Sequence, residues 1–311
     1  MERRIATNLI IAGGSAVDLF ECLLSLAETD YSPCRTVVMD NSRRGMGKRI
    51  EPAFPRVQVL RPPKPLTFAA AANFGISETI AAGSRLVFLL NDDVTVHHET
   101  LARLVDAEKE RGPGLYGPEV WPYVAGRPRE RYRFDWGKRL VVREAVRPAV
   151  SHEPQQIDYA EGSAVLISGD VFESTGGFDE DLGFYFEDAD FSVRAADLGF
   201  PVMEVPGARV WHKTGASTGR GLSPFKAYYR ARNTLKFAAK HRARSAPARN
   251  ALYHIGEFVI PQALGAVVSL ARGRRARTQV LAAIVRGTVD NFTGRHRPFP
   301  PPTPSEQAFL L

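Results

Sequence analysis

Cysteine is scarce in this chain of 311 residues, which contains only Cys22 and Cys34. The two residues stand twelve positions apart without companion cysteine or histidine residues, and this pattern suits neither a zinc site nor a disulfide framework. We therefore expect two reduced thiols in a reducing compartment such as the cytosol.

Long hydrophobic runs are also missing. A membrane-spanning helix needs about 18 or more consecutive apolar residues, and every comparable stretch here contains polar interruptions. The N-terminus, MERRIATNLIIAGGSAV, places basic residues before an apolar stretch, as a secretory signal does. However, Asn8 interrupts that stretch, and Gly13-Gly14-Ser15 is typical of a strand-to-helix turn. The sequence therefore predicts neither a secretory signal nor a spanning helix.

Acidic residues are few in the C-terminal part of the chain. Residues 217–311 contain 16 Lys and Arg but only 3 Asp and Glu, a net charge of +13. The remaining 25 Lys and Arg and 31 Asp and Glu give residues 1–216 a net charge of −6. A basic tail on an acidic body indicates an anionic partner, which could be phospholipid, nucleic acid or a phosphorylated substrate. Because aromatic residues are not interleaved with the arginines of the tail, we do not expect nucleic acid.

What the sequence does contain is the pattern of an α/β fold. Apolar residues make up 44% and charged residues 24% of the chain, an ordinary balance for a folded protein. Strand-like and helix-like segments alternate in the first hundred residues. We predict strands over 6–13, 35–40, 56–62 and 85–90 and helices over 16–28 and 67–83. This alternation predicts a mostly parallel sheet with right-handed crossovers.

The second half has a different texture. Residues 112–160 are rich in Pro, Gly and Arg and are predicted to be irregular or antiparallel. Further segments then follow, and we predict strands over 164–168 and 202–212 and helices over 169–176 and 187–199. Beyond Gly221 the segments are long, basic and helical.

Two adjacent carboxylates mark the end of the fourth predicted strand, in RLVFLLNDDV. An uninterrupted apolar run reads as a strand that is covered on both faces, and burying unpaired like charges at its end is costly. Asp92 and Asp93 therefore suit a hard cation such as Mg²⁺ or Mn²⁺, although acidic pairs also cap helices or face solvent. Because ligands bind beyond the carboxyl ends of parallel strands, Gly13, Asp40 and residues 91–93 are expected to converge.

Three further residues or groups each allow two interpretations. The acidic residues of FYFEDADF, which are Glu187, Asp188 and Asp190, either complement a helix dipole or include a general base. His212 is either structural or a metal ligand. Asp40 either closes a turn or accepts the imide N–H of a pyrimidine base.

Taken together, these stretches resemble family 2 glycosyltransferases with the GT-A fold, especially the bacterial rhamnosyltransferase- and galactofuranosyltransferase-like branch. The similar stretches run in family order over residues 6–235 and include LIIAGG, VVMDNS, AAANFGI, FLLNDDV and YYRARN. The most specific part is residues 162–217, which combine Gly-Gly-Phe-Asp-Glu, Glu-Asp-x-Asp and a downstream histidine.

The resemblance implies a fold and an activity. The fold is a Rossmann-like GT-A domain with a mixed, mostly parallel sheet over residues 1–221, followed by a basic helical extension over 222–311. Its nucleotide-sugar-binding half covers about residues 1–110, and its acceptor-binding half covers about 111–221. The activity is inverting and metal-dependent. It moves a sugar from dTDP-rhamnose, or from UDP-galactofuranose or another UDP-sugar, to a hydroxyl of a glycan or lipid-linked acceptor in cell-surface polysaccharide synthesis.

The resemblance also assigns roles to individual residues. The donor nucleotide is expected to contact Ala12, Gly13, Asp40, Asn73, Asn91 and Asp92, with Asp92 facing the ribose. Mg²⁺ or Mn²⁺ is expected at Asp93 and His212, and Asn91 stands where the family has an aspartate. Asp188 matches the catalytic base. The acceptor side is expected to include Glu187, Gly162, Ser163 and Asp179. Phosphate groups are expected at Arg230 and Arg232.

The partners expected from this reading are a nucleotide-sugar, the acceptor and an anionic membrane surface. Residues 251–271 are mostly apolar but contain polar breaks, so they suit an interfacial helix better than a spanning one. We expect a cytoplasmic protein held peripherally at the inner face of the membrane, and a homodimer is a further expectation. The alternatives are an inactive nucleotide-sugar-binding protein and a nucleic-acid-binding protein on the same scaffold.

Overall fold

The computed structural model describes residues 4–42, 45–124, 127–146, 153–213, 222–271 and 276–295. In these ranges the strands are β1 (Ala6–Ala12), β2 (Cys34–Asp40), β3 (Gln58–Leu60), β4 (Leu86–Asn91), β5 (Val94–Val96), β6 (Leu115–Pro122), β7 (Glu130–Asp135), β8 (Leu140–Ala145), β9 (Gln155–Gln156), β10 (Ala164–Ser168) and β11 (Val202–His212).

The helices begin and end close to the predicted positions where a prediction exists. They are α1 (Ala16–Ala27), α2 (Gly47–Ala53), α3 (Phe68–Ala81), α4 (Thr100–Arg111), α5 (Gly169–Thr175), α6 (Glu187–Asp197), α7 (Pro224–Lys240), α8 (Pro247–His254), α9 (Ile260–Ala271) and α10 (Ala276–Thr293). A π-helical turn, Ile255–Val259, joins α8 to α9. Local capping explains two of the starts, because Ser15 and Thr67 accept hydrogen bonds from backbone N–H groups of the first turns of α1 and α3.

Nine strands form one sheet in the order β3-β2-β1-β4-β10-β6-β11-β5, with β9 paired to β11. Strands β1 to β4 run parallel, β10 is antiparallel to both of its neighbours, and β6 and β11 are parallel to each other. Six of the nine strands therefore share one direction, which confirms the predicted mostly parallel α/β sheet. Strands β7 and β8 form a separate two-stranded sheet.

Apolar cores cover both faces of the large sheet. All seven residues of β1 are buried, and they alternate between the two cores, with Ile10 on one side and Leu9 on the other. Helices α1 and α4 contribute to the first core, and α3, α5 and α6 contribute to the second. This double cover explains why β4 reads as a continuous apolar run, since its residues also alternate between the two cores.

The chain divides into two compact units. The first consists of residues 1–131, 144–183 and 187–217, and the second consists of 132–143, 184–186 and 218–311. The core of the second unit includes Phe225, Tyr228, Tyr229 and Ile284. The predicted domain boundary after residue 221 stays a prediction, since Gly221 lies outside the described residues.

Candidate functional site

Asp92 connects the end of β4 to the turn that follows β1. One oxygen of its buried carboxylate, Oδ2, accepts hydrogen bonds from the backbone N–H groups of Gly13 (2.9 Å) and Gly14 (2.7 Å). Burial, together with the neighbouring Asp93, raises the pKa of Asp92 to about 7, although these two hydrogen bonds oppose the shift. The structure thus brings Gly13 and Asp92 together as predicted, and the ribose contact of Asp92 stays a prediction.

Asp93 lies beside His212. Strand β11 pairs with β5 so that His212 is opposite Val94, and this register sets His212 Nε2 3.1 Å from Asp93 Oδ1. Burial lowers the pKa of the imidazole, but the hydrogen bond and charge of Asp93 outweigh it, so the pKa of His212 is raised overall. A carboxylate and an imidazole that converge in this way are the ligand types that a divalent ion such as Mn²⁺ accepts.

The chemistry of this pair fits a metal that is shared with a substrate. Among the residues that the structure describes, no group of three or more His, Cys, Asp or Glu side chains is close enough to hold a metal ion. Mg²⁺ commonly uses one or two protein carboxylates and takes its other ligands from phosphates and water. Asp93 and His212 therefore suit an ion whose coordination is completed by a diphosphate.

Asp188 lies at the start of α6, half-buried, with its carboxylate fixed by backbone donors. Oδ2 accepts a hydrogen bond from Gly162 N–H (3.0 Å) and Oδ1 accepts one from Ala189 N–H (2.8 Å). Burial raises the pKa of Asp188, and the two hydrogen bonds partly offset that rise. A Cβ atom on Gly162 would fit tightly, because it would lie 3.3 Å from Asp188 Cβ and 3.4 Å from the Phe68 ring.

The pairing of β4 with β10 joins these two groups. Asn91 N–H donates to the carbonyl of Ser163 (3.0 Å), where the end of β4 meets the residues before β10. Asn91 is two residues from Asp93, and Ser163 is next to Gly162, which holds Asp188. The Asp93–His212 pair and the Asp188 carboxylate are thus anchored on adjacent segments of one sheet.

Two predicted acceptor-side residues carry buried polar atoms without a hydrogen-bond partner among the described residues. These atoms are Glu187 Oε2 and Ser163 Oγ, in side chains that are only 7% and 8% exposed. Leaving such an atom unpaired costs about 1–3 kcal/mol. Burial, followed by the charge of Asp188, raises the pKa of Glu187 well above its ordinary value. Unpaired polar atoms beside a candidate base indicate a place for a polar ligand.

Glu161 belongs to the same cluster and was not predicted. Burial is the main reason why its pKa is raised to about 7, with His212 lowering it and Asp188 raising it further. The available signal was an acidic residue directly before the Gly-Ser that opens a buried strand. Perturbed carboxylates of this kind are concentrated at functional sites.

Asp40 closes a turn at the end of β2, opposite Ala12 in the register of the sheet. Its Oδ1 accepts hydrogen bonds from Ser42 N–H (3.2 Å) and from the Ser42 hydroxyl (2.5 Å), and its Oδ2 accepts one from Gly47 N–H (2.7 Å). The structure therefore supports the turn interpretation for these oxygens. Base contacts of Ala12 and Asp40 stay predictions.

Asn73 lies against the loop that contains Gly-Gly-Phe-Asp-Glu. Its amide donates to the carbonyl of Phe178 (2.9 Å) and to Glu180 Oε1 (3.0 Å), and it accepts from Phe178 N–H (2.8 Å). Asp179 accepts a hydrogen bond from Asp181 N–H within that loop. The structure thus gives Asn73 a role in holding the loop, and its nucleotide contact stays a prediction, as does the acceptor role of Asp179.

Arg230 and Arg232 both lie in the second unit but differ in exposure. Arg230 is exposed, with its guanidinium 5.8 Å from the centre of the Phe258 ring. Arg232 is only 3% exposed, and its Nη1 donates to Asn233 Oδ1 (2.9 Å). The two guanidinium groups therefore do not present one shared exposed phosphate clamp, and their phosphate contacts stay predictions.

Comparison with known proteins identifies relatives in sequence. The profile described as "Glycosyltransferase like family 2" matches residues 12–244. The dTDP-rhamnosyl transferase of Shigella flexneri is 22% identical over 223 residues, which are 70% of this chain and 74% of that protein. The N-acetylglucosaminyl-diphospho-decaprenol L-rhamnosyltransferase of Mycobacterium tuberculosis is 30% identical over 132 residues, 42% of this chain and 42% of that protein. The match thus spans less than half of the mycobacterial relative.

Comparison with solved structures identifies the fold. The mannosyltransferase of Pyrobaculum calidifontis, solved in complex with GDP-Man and Mn²⁺, superimposes with a TM-score of 0.58 at 17% identity. The superposition covers 94% of this chain and 88% of that one. At this level of identity the likeness shows the fold alone, and it confirms the predicted GT-A architecture.

Proposed function

This chain belongs to the glycosyltransferase-like family 2, and on that premise we propose that it is an inverting, metal-dependent transferase. The donor is dTDP-rhamnose in the first place, with UDP-galactofuranose or another UDP-sugar as the second choice. The acceptor is a hydroxyl group of a glycan or a lipid-linked saccharide that is used in cell-surface polysaccharide synthesis.

The observation that carries the proposal is the anchoring of Asp188 and of the Asp93–His212 pair on adjacent segments of the sheet. Inverting transfer needs a base at the attacking hydroxyl and positive charge at the leaving diphosphate. Asp188 would accept the proton of the acceptor hydroxyl, and its fixed hydrogen bonds keep the carboxylate oriented for that step. Glu187 and Ser163 would bind other hydroxyls of the acceptor through the polar atoms that lack a protein partner.

Asp93 and His212 would hold Mg²⁺ or Mn²⁺ together with the nucleoside diphosphate. When bound, such an ion would stabilise the negative charge that develops on the leaving diphosphate. Asp92 would keep the Gly13-Gly14 turn in place beside it, because the two backbone N–H groups already bind the Asp92 carboxylate.

The choice of donor and acceptor is supported by the names of relatives and by charge. The similar Shigella protein is named as a dTDP-rhamnosyl transferase, and the mycobacterial one is named for a diphospho-decaprenol substrate. The basic C-terminal part of this chain suits a protein that meets such a lipid-linked substrate at an anionic membrane surface. We place the protein in the cytoplasm, peripherally at the inner membrane face.

Sugar transfer by the purified full chain tests the proposal. Radiolabelled dTDP-rhamnose and UDP-galactofuranose are offered with Mn²⁺ and a synthetic N-acetylglucosaminyl-diphospho-polyprenol, and the anomeric configuration of the product is read by NMR. Asp188→Asn should lower turnover by about 10²–10⁴-fold because it removes the base, while nucleotide binding persists. Asp197→Asn, an exposed change on the same helix α6, is the matched control.

Other outcomes would contradict the proposal. Near-normal transfer by Asp188→Asn would show that Asp188 is not the base. A product that retains the anomeric configuration of the donor would show that the mechanism is not inverting. Nucleotide-sugar binding without transfer to any acceptor would favour an inactive binding protein. Binding of single-stranded nucleic acid without nucleotide-sugar binding would favour the nucleic-acid alternative.

A further inference from the structure

An exposed row of aliphatic side chains runs along the helical segment 247–271 of the second unit. Its members are Leu252, Ile255, Ile260, Leu264 and Val267, which are between 48% and 71% exposed. Large aliphatic side chains that stand singly on a surface need no explanation, but a continuous row of them marks an interaction site.

The π-helical turn keeps this row on one face. In an α-helix the five-residue step from Ile255 to Ile260 would carry the side chain away from the row, since 3.6 residues complete a turn. Here Ile260 N–H donates to the carbonyl of Ile255, so the wider turn places Ile260 next to Ile255 along the axis. The remaining steps of three and four residues are the ordinary spacing of one helix face.

Helix α10 of the same unit adds a second row. Val285, Val289 and Phe292 recur at steps of four and three residues and are 47% to 75% exposed. Another face of α10 packs against α7, where Gly287 approaches the carbonyl of Tyr228 so closely that a Cβ atom would clash. Helix α10 is therefore held by its inner face, and the described residues of the unit leave its outer apolar row uncovered.

Basic residues precede and follow the first row in the sequence. Lys240, Arg242, Arg244 and Arg249 are exposed just before or at the start of α8. At the other end, the sequence RGRRAR follows at residues 272–277, of which 272–275 lie outside the described residues. Acidic side chains are few: the described residues of 222–295 contain only Glu257 and the buried Asp290.

We propose that the exposed aliphatic row of the helical segment 247–271 binds the surface of an anionic lipid bilayer, with this segment lying in the plane of the interface. An apolar face flanked by basic residues is the pattern of interfacial helices, and each basic residue near an anionic surface adds to the attraction. The segment 247–268 is also long and apolar enough to span a membrane by length and composition alone, with a mean hydropathy of 1.3 over an 18-residue window. Glu257 and Gln262 within it oppose burial in a hydrocarbon core. The purpose of this docking rests on the proposed lipid-linked acceptor, whereas the docking itself does not depend on catalysis.

Co-sedimentation of the full chain with vesicles tests the inference. Vesicles of phosphatidylcholine alone are compared with vesicles that contain phosphatidylglycerol, at low and high salt. We expect binding only to the anionic vesicles, weakened by salt. The double variant Leu264→Glu/Val267→Glu should lose about tenfold or more of this binding, because it places charge on the inserted face. Val17→Glu/Leu24→Glu, a matched double change at exposed aliphatic residues of α1, should bind as the unchanged protein does.

The other outcomes separate the alternatives. Equal vesicle binding by the double variant, or no binding of the unchanged chain to anionic vesicles at low salt, overturns the inference. Resistance to extraction at alkaline pH shows a spanning helix and also overturns it. A dimer that the double variant dissociates, without any vesicle binding, shows that the face is covered by a second copy. Mn²⁺-dependent nucleotide binding is measured in parallel, so that a failed docking is distinguishable from a failed transferase.

Discussion

Glu187 and Asp188 are neighbours in sequence, yet their carboxylates lie in different surroundings. Asp188 is half-buried and accepts two backbone hydrogen bonds, which favour its ionised form. Glu187 is buried, has an unpaired oxygen among the described residues, and faces the charge of Asp188, so its pKa is raised well above 4.5. Two carboxylates whose environments separate their pKa values are suited to different roles. Asp188 is accordingly the better base, and Glu187 is the better hydrogen-bonding partner of a substrate.

Glu187→Gln should stabilise the protein at alkaline pH but not at acidic pH. The folded state raises the pKa of Glu187, so it holds the proton more tightly than the unfolded chain, and stability falls as pH rises from about 4.5 through the raised pKa. Glutamine removes this loss, and we expect a gain of roughly 1–3 kcal/mol at pH 8. Urea denaturation of both proteins at pH 4, 6 and 8 measures it. In the same variant, KM for the acceptor should rise while nucleotide binding is unchanged. A gain in stability that is equal at all three pH values would show that the titration is not its cause.

Individual roles were the hardest part of the site to predict. Asp93 and His212 are over a hundred residues apart, and only the pairing of β11 with β5 brings them to 3.1 Å. The sequence identifies Asp92 as a charged residue at a strand end. It does not show that the Asp92 carboxylate accepts hydrogen bonds from Gly13 and Gly14, because these residues lie in a turn far away in the sequence. The sequence supplies the residue types at strand ends, whereas hydrogen-bond partners depend on the completed sheet.

Among the elements, the buried strands were the easiest to predict. Strands β4 and β10 are almost wholly apolar, whereas β1 and β2 have polar residues before an apolar run. Each of the four lies within two residues of its prediction. The predictions omit α4, although Leu101, Leu104 and Val105 have helical spacing. Glu108 lies on its buried face, where it pairs with Arg4, and such a polar residue hides the apolar pattern. Strand β6, in the segment expected to be irregular or antiparallel, is antiparallel to β10 but parallel to β11, and these partners are distant in sequence.

The turn directly before α6 is strained. Tyr185 and Phe186 both have positive φ angles, 66° and 73°, which cost non-glycine residues of order 1–3 kcal/mol each. Asn233 of α7 supports this turn, because its amide donates to the carbonyls of Phe184 (2.7 Å) and Tyr185 (3.0 Å). Because the chain continues from Phe186 into Glu187, the turn defines where α6 begins.

Asn233→Ala should therefore destabilise the protein by about 1–3 kcal/mol, since it leaves two carbonyls without their donor. Transfer should fall more than nucleotide binding, because the altered turn leads directly into the residues of the proposed acceptor site. Thr234→Ala is the matched control on α7, since among the described residues that hydroxyl binds only the carbonyl of Arg230 in its own helix. Urea denaturation and transfer assays measure both effects. If the two variants are equally stable, Asn233 does not support the turn.

At the scale of the whole molecule, the sequence predicts the class of fold better than the path of the chain. Alternating segments are sufficient for an α/β sheet, but the position of β10 between β4 and β6 follows from antiparallel pairing across long sequence distances. The same limit applies to the second unit, which includes residues 132–143 and 184–186 from the middle of the sequence. Composition shows that the basic charge of the chain lies in its C-terminal part.

A ligand that binds the folded protein but not the unfolded chain raises its stability. Because the proposed site joins distant strands, the thermal stability of the whole protein should increase when metal and donor bind together. With Mn²⁺ and a correct nucleotide-sugar at about 100 times its Kd, we expect a stabilisation of about 2.7 kcal/mol, or a rise in Tm of about 4 °C for a chain of 311 residues. EDTA should abolish this rise, and so should Asp93→Ala or His212→Ala, since each removes a proposed ligand. Asp106→Ala, an exposed change on α4, should keep it. Asn91→Asp should enlarge it, because it adds a carboxylate beside the proposed metal. A full rise in Tm in the presence of EDTA would show that the donor binds without metal.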